Sequence, residues 1–89
     1  MGARRTVTVP NRDGLHARSC TALVNLARKY AAALKIANGE RSGDGRSIFD
    51  LMMLEAGKGT VLLIEAEGDD AEALAAAVAA LVASGFGEA

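Results

Sequence analysis

Residues 34–42, Leu34-Lys35-Ile36-Ala37-Asn38-Gly39-Glu40-Arg41-Ser42, decide the fold class. Leu34-Lys35-Ile36 alternates apolar and polar residues, the period of a half-buried strand. Asn38-Gly39 is the strongest short hairpin signal, because both residue types tolerate the positive φ of a tight turn. A second, polar strand through Glu40-Arg41-Ser42 is expected to follow, ending at Gly43-Asp44-Gly45. A tight turn joins only antiparallel neighbours, so at least this part of the sheet is antiparallel.

Working outward, Thr6-Val7-Thr8-Val9 alternates again and predicts a strand with Val7 and Val9 inward, stopped by Pro10. Asn11-Arg12-Asp13-Gly14 is turn chemistry. From Ala17 the period becomes helical: Cys20, Leu23, Val24, Ala27 and Ala31 form one stripe, with Arg28 and Lys29 expected in the last turn, where cations suit the carbonyl end. Beyond the hairpin, Ser47 is expected to cap a short helix running to about Leu54, with Asp50 completing a weak capping box. Gly57-Lys58-Gly59 closes that segment, and Thr60 to Glu67 predicts a strand with Leu62, Ile64 and Ala66 inward. After the turn and cap at Gly68-Asp69-Asp70, Leu74, Val78, Leu81 and Val82 mark the buried face of a last helix stopped by Gly85. The order β-α-β-β-α-β-α predicts an α+β fold: a four-stranded, mainly antiparallel sheet with three helices on one face.

Composition narrows the chemistry. The 89 residues weigh 9.1 kDa, enough for one domain spanning 1–89 and near the lower limit for an independent core. Aliphatic residues dominate, with 19 Ala, 10 Leu, 6 Val and 3 Ile, while Tyr30, Phe49 and Phe86 are the only aromatics. Three aromatics are too few for a base-stacking surface, which argues against nucleic acid as a partner. One Cys cannot form an internal disulfide, and one Cys with one His cannot supply a four-ligand Cys/His zinc site. No apolar run approaches the ~20 residues of a membrane span, and no charged-then-apolar leader opens the chain. These features predict a reduced, cytoplasmic, soluble domain without membrane insertion.

Charge is divided unevenly. Residues 1–46 hold nine Lys/Arg and three Asp/Glu, whereas residues 47–89 hold one and eight. An acidic, solvated last strand and helix accounts for this as well as an anion-handling site in the first half does. Residue-level chemistry has to separate the two.

The single histidine sits in Gly14-Leu15-His16-Ala17-Arg18, where a glycine turn meets a helix start. The first amides of a helix lack intrahelical partners and carry partial positive charge. An anion on His16 would meet the Ala17 and Arg18 amides, and the Arg18 guanidinium could add a fork of donors. The same positive field favours a neutral, nucleophilic imidazole. The plainer alternative is an idle N-cap side chain. Zinc ligation by His16 and Cys20 lacks a third ligand beyond Asp13, and Arg46-Ser47 imitates the end of a Walker loop whose leading glycine would fall on Glu40.

Three stretches together, Asn11-Arg12-Asp13-Gly14-Leu15-His16-Ala17-Arg18, Gly45-Arg46-Ser47-Ile48-Phe49-Asp50-Leu51-Met52-Met53-Leu54 and Lys58-Gly59-Thr60, resemble the HPr family. These are the histidine-containing phosphocarriers of the bacterial phosphoenolpyruvate-dependent phosphotransferase system. The resemblance spans essentially the whole chain, and the combination of the two main motifs is more specific than either alone. It implies an open-faced β-sandwich. It implies that His16 accepts a phosphoryl group on Nδ1 from phosphorylated enzyme I and passes it to a sugar-specific or regulatory IIA protein. Arg18 matches the arginine that contacts the phosphate. Where the family usually has proline after that arginine, this chain has Ser19, which restores an amide donor and adds a hydroxyl, so the resemblance still implies transfer. Ser47 matches the regulatory serine phosphorylated by HPr kinase/phosphorylase in bacteria that have that enzyme.

The short helix points to a partner on its own terms. Ile48, Phe49, Leu51, Met52, Met53 and Leu54 are apolar on nearly every side of two turns, and only about half of such a helix can be buried. Leu51 and Leu54 are expected inside, with Ile48, Phe49 and Met52 outside as a docking patch; deformable Met suits a surface serving several partners. The overall expectation is a monomeric covalent carrier needing no cofactor or metal, better described as a carrier than as an enzyme. The Met-rich helix and Ser84-Gly85-Phe86 lean toward the nitrogen-related branch of the family. The rival is a non-catalytic regulatory module acting through Ser47 and the Ile48/Phe49/Met52 patch.

Overall fold

The strand expected over 60–67 forms the middle of the molecule. A computed structural model describes residues 1–88, and in it β4 (Val61–Glu67) pairs on one side with β1 (Gly2–Thr8) and on the other with β2 (Ala33–Asn38). β3 (Arg41–Asp44) completes the sheet in the order β1-β4-β2-β3, with every pairing antiparallel. Ile64 faces Arg5 on one neighbour and Ile36 on the other, and Ala66 faces Ala3 and Leu34. This register puts Leu34, Ile36, Leu62, Ile64 and Ala66 on one buried face. A one-residue slip would turn that whole set into water.

Three helices cover this face: α1 (Ala17–Ala27), α2 (Ile48–Met52) and α3 (Ala71–Ala83). Cys20, Leu23, Val24 and Ala27 of α1 meet Leu74, Val78 and Val82 of α3 and Leu51 and Leu54 of the α2 segment in one core. The element order is the one expected, β-α-β-β-α-β-α, followed by a single 3-10 turn at Gly85–Gly87. Among the described residues no helix is long and apolar enough to cross a membrane.

Several details differ from the sequence reading, each for a physical reason. The hairpin turns one residue later than Asn38-Gly39: Asn38 pairs with Arg41, so Gly39 and Glu40 form the corner. Of these two only Gly39 has positive φ (61°), the requirement of a two-residue turn with glycine first. β1 starts at Gly2 rather than Thr6, because β4 is long enough to pair with all seven residues; Ala3 is buried, Val7 only half-buried, and Val9 lies fully buried just past the strand. α1 ends at Ala27, so Ala31 is exposed and Arg28 and Lys29 lie beyond its last turn. The cation at that carbonyl end comes from elsewhere: the Arg46 guanidinium donates to Ala27 O (3.0 Å) and Tyr30 O (2.7 Å). α2 stops at Met52, short of Leu54, although Leu51 and Leu54 are both buried as expected. Leu81 is only half-buried, while Leu74, Val78 and Val82 are inside.

Two caps also depart from expectation. Asp50 does not close a capping box on Ser47; its carboxylate accepts the Asp44 amide (3.0 Å) instead. Asp70 begins α3 without a side-chain cap bond, because its carboxylate accepts the amides of Ala31 (2.9 Å) and Ala32 (2.7 Å) and pins the start of β2. Those bonds, led by the Ala31 amide, hold the Asp70 carboxyl below its ordinary range.

Candidate functional site

The site is built on the turn that precedes α1. Gly14 has φ 62°, and a Cβ there would collide with Ala56 O and lie 2.7 Å from Gly57 Cα. Only glycine therefore lets residues 9–15 pack on residues 56–60, where the Leu15 amide donates to Ala56 O (2.8 Å) and the Val9 amide to Thr60 O (2.8 Å). Leu15 enters the core and leaves the next residue, His16, as the N-cap of α1.

His16 and Ser19 cap this helix reciprocally. The His16 amide donates to Ser19 Oγ (2.9 Å), whose hydroxyl donates to Gly14 O (2.9 Å). The Arg18 amide donates to His16 Nδ1 (3.3 Å). Ser19 is fully buried, so the residue standing where the family usually has proline is a structural part of this helix start. The Ala17 amide has no acceptor among the described residues.

The other ring nitrogen meets a residue not singled out in the sequence. His16 Nε2 lies 2.9 Å from both Glu88 Oε1 and Oε2. Asn11, 2% exposed, donates from Nδ2 to Glu88 Oε1 (3.0 Å) and to Gly14 O (2.9 Å). The His16 contact, then the Asn11 amide, draws the Glu88 carboxyl below its usual range against an opposing push from burial. Because Nδ1 accepts an amide proton, it carries the lone pair, and Nε2 carries the hydrogen that faces Glu88. Arg12, Asp13, His16, Arg18, Gly87 and Glu88 line a polar cleft over this ring, whose side chain is 32% exposed. The Arg18 guanidinium is exposed, with no hydrogen bond or ion pair among the described residues.

The remaining expected residues lie outside that cleft. Ser47 is half-buried at the head of α2, where its Oγ accepts the Asp50 amide (3.1 Å). Ile48, Phe49 and Met52 are exposed, and Met53, missed in the sequence reading, joins them; Phe49 is the most open at 72%. α2 packs beside α1, so this apolar surface and the His16 cleft belong to neighbouring elements. Cys20 is fully buried, and burial pushes its thiol up to about 11, which removes it from the zinc reading with His16.

Comparison with known proteins decides the family. A family model described as "PTS HPr component phosphorylation site" matches residues 3–84. The chain belongs to the HPr family. Phosphocarrier protein NPr of Shewanella violacea is 41% identical over 85 residues, covering 96% of this chain and 93% of that protein. Phosphocarrier protein HPr of Cupriavidus necator is 38% identical over 85 residues, covering 96% of each. Among solved structures, HPr-C-His from Thermoanaerobacter tengcongensis superposes with a TM-score of 0.92 at 32% identity, covering 98% of both chains. Membership of the HPr family brings a phosphocarrier role in the phosphotransferase system and, in general terms, partners such as enzyme I and IIA proteins.

Proposed function

We propose that His16 Nδ1 is the phosphoryl acceptor and donor of this phosphocarrier, taking the group from phosphorylated enzyme I and passing it to a IIA protein. The observation that supports this most is the state of the ring. Nδ1 holds a lone pair at the open end of α1, against the Arg18 amide and next to an Ala17 amide without an acceptor. Attack of that lone pair forms an Nδ1–P bond while the bond from phosphorus to the donor group of enzyme I breaks, its electron pair staying on the donor. The Arg18 amide, no longer needed by Nδ1, then turns to a phosphoryl oxygen together with the Ala17 amide, and the Arg18 guanidinium adds a charged fork. In-line approach needs an open face, and the half-open ring supplies one.

Ile48, Phe49 and Met52 are proposed as the docking patch for these partners, with the chain acting as a monomeric single domain in the cytoplasm. Ser47 is proposed as a regulatory phosphosite for an HPr kinase/phosphorylase. Its helix-cap position is compatible with that role, since a phosphate at a helix start is electrostatically favoured. The nitrogen-related branch is the finer reading, supported by the similarity to NPr and by the Met-rich α2 segment.

The test is incubation with enzyme I and phosphoenolpyruvate. The reading predicts a ~80 Da adduct, labile to acid and stable to alkali, that is absent in His16→Ala. An unmodified wild-type chain with active enzyme I would overturn it. Running the sugar-type and nitrogen-type enzyme I side by side assigns the branch by the faster donor.

A further inference from the structure

The segment after α3 follows an unusual path. Gly85, Phe86 and Gly87 have φ values of 72°, 58° and 74°, three consecutive residues in the left-handed region. For the two glycines this is inexpensive; for Phe86 it is strained. The Phe86 ring packs half-buried on the core and offsets that strain. The Glu88 amide closes the turn on Gly85 O (2.9 Å). The result is a strap that crosses the Pro10-Asn11 turn and delivers one carboxylate onto His16. A side chain simply solvated at the surface would need none of this.

We propose that Glu88 is a positioning residue for His16: its carboxylate accepts the Nε2 hydrogen in both the free and the phosphorylated states, fixing the ring's tautomer and orientation so that Nδ1 faces the phosphoryl group. The geometry is specific for this purpose. Both carboxylate oxygens are 2.9 Å from Nε2, and Asn11, buried and already tied to Gly14 O, locks the carboxylate from the other side. Gly14 is also the residue whose carbonyl takes the Ser19 hydroxyl, so Asn11 links the support of Nε2 to that of the His16 backbone amide. The other charged groups around the cleft, Arg12, Asp13 and Arg18, make no hydrogen bond to Nε2, which leaves the assignment to Glu88 alone among the described residues. When Nδ1 bonds phosphorus, the ring keeps its Nε2 hydrogen and gains positive charge, which the carboxylate offsets. Glu88 thereby holds phospho-His16 in its ring-protonated form, from which neutral imidazole leaves and the phosphoryl group moves on more readily than from a solvent-facing ring at the same pH. This last consequence rests on His16 being the phosphoryl site; the tautomer assignment does not.

Nitrogen-15 spectra of the imidazole at pH 8, above histidine's ordinary range of about 6.5, test the assignment without any phosphoryl transfer. Wild type should show one tautomer, with an Nε2 hydrogen protected from exchange. Glu88→Gln keeps an oxygen that can accept this hydrogen and should retain the tautomer; Glu88→Ala should lose the protected hydrogen and admit the Nδ1–H form. Amide spectra of each variant check that the fold is intact. Identical tautomer and exchange behaviour in all three proteins would overturn the proposal. In phosphorylated samples at pH 8, the half-life of phospho-His16 should lengthen several-fold in Glu88→Ala, and an unchanged or shorter half-life counts against the charge role. A wild type that takes up no phosphate would defeat the carrier reading while leaving the spectra to judge Glu88.

Discussion

The heads of α1 and α2 are both capped by a side chain, yet they are closed in opposite ways. At α2, Ser47 Oγ accepts the Asp50 amide (3.1 Å), a bond complete within four residues. At α1, His16 Nδ1 takes the Arg18 amide at a longer 3.3 Å, the Ala17 amide is without an acceptor among the described residues, and the rest of the closure comes from Ser19 and from Glu88, 72 positions away. A helix start serving structure satisfies its donors locally. The phosphoryl role proposed for α1 fits the contrast: donors left available there can take an incoming anion, while other residues aim the side chain.

Removing each cap in turn separates the two helix heads most clearly. His16→Ala should abolish phosphoryl uptake from enzyme I, whereas Ser47→Ala should leave uptake intact, as read by mass spectrometry. Equal losses in the two variants would contradict a division of labour between the helix heads. Gly14→Ala comes next, since it forces a methyl against Ala56 O in left-handed backbone. We expect a loss of about 1–3 kcal/mol in urea unfolding, with slower uptake because the α1 start shifts. Ser19→Ala removes the acceptor of the part-buried His16 amide and the buried donor to Gly14 O. A cost of about 1–2 kcal/mol is expected, again with slower uptake. Ser47→Ala should cost about 1 kcal/mol, the ordinary value of a lost cap, with no change in uptake.

The head of α3 gives the smallest effect and a pH signature. Asp70 holds two amides of residues 31 and 32, and those bonds depress its carboxyl. A depressed carboxylate adds stability above its unfolded value of about 3.9, and that stability is lost as pH falls through the lower folded value. Asp70→Asn should therefore be less stable than wild type at pH 7, with the gap narrowing steadily on acidification below about pH 4 in denaturant titrations.

Much of this frame is legible in the sequence because it is periodic. The inward residues of β4 and the Cys20-Leu23-Val24-Ala27 stripe follow from spacing alone, and the crowding of apolar residues over 48–54 predicts an exposed patch. The histidine is legible because glycine, histidine and arginine meet at a helix start. What escapes is carried by long-range partners. Arg46 replaces Arg28 and Lys29 at the end of α1 because the chain folds back to it, and Asp50 and Asp70 leave their own helices for amides elsewhere. Glu88 escapes for the same reason, although glycines on either side of Phe86 hint at a special turn. Ser19 lies at capping-box spacing from His16, but serine is the usual cap and histidine is not, so the roles are reversed.

The claim that matters most is which atom holds the phosphorus. A phosphorus–nitrogen correlation spectrum of the 15N-labelled chain, recorded after phosphorylation by enzyme I, reads this directly. The account predicts a single P–N coupling to His16 Nδ1, with the hydrogen still on Nε2. Coupling to Nε2, or phosphorus on Ser47 with an unmodified imidazole, would contradict it.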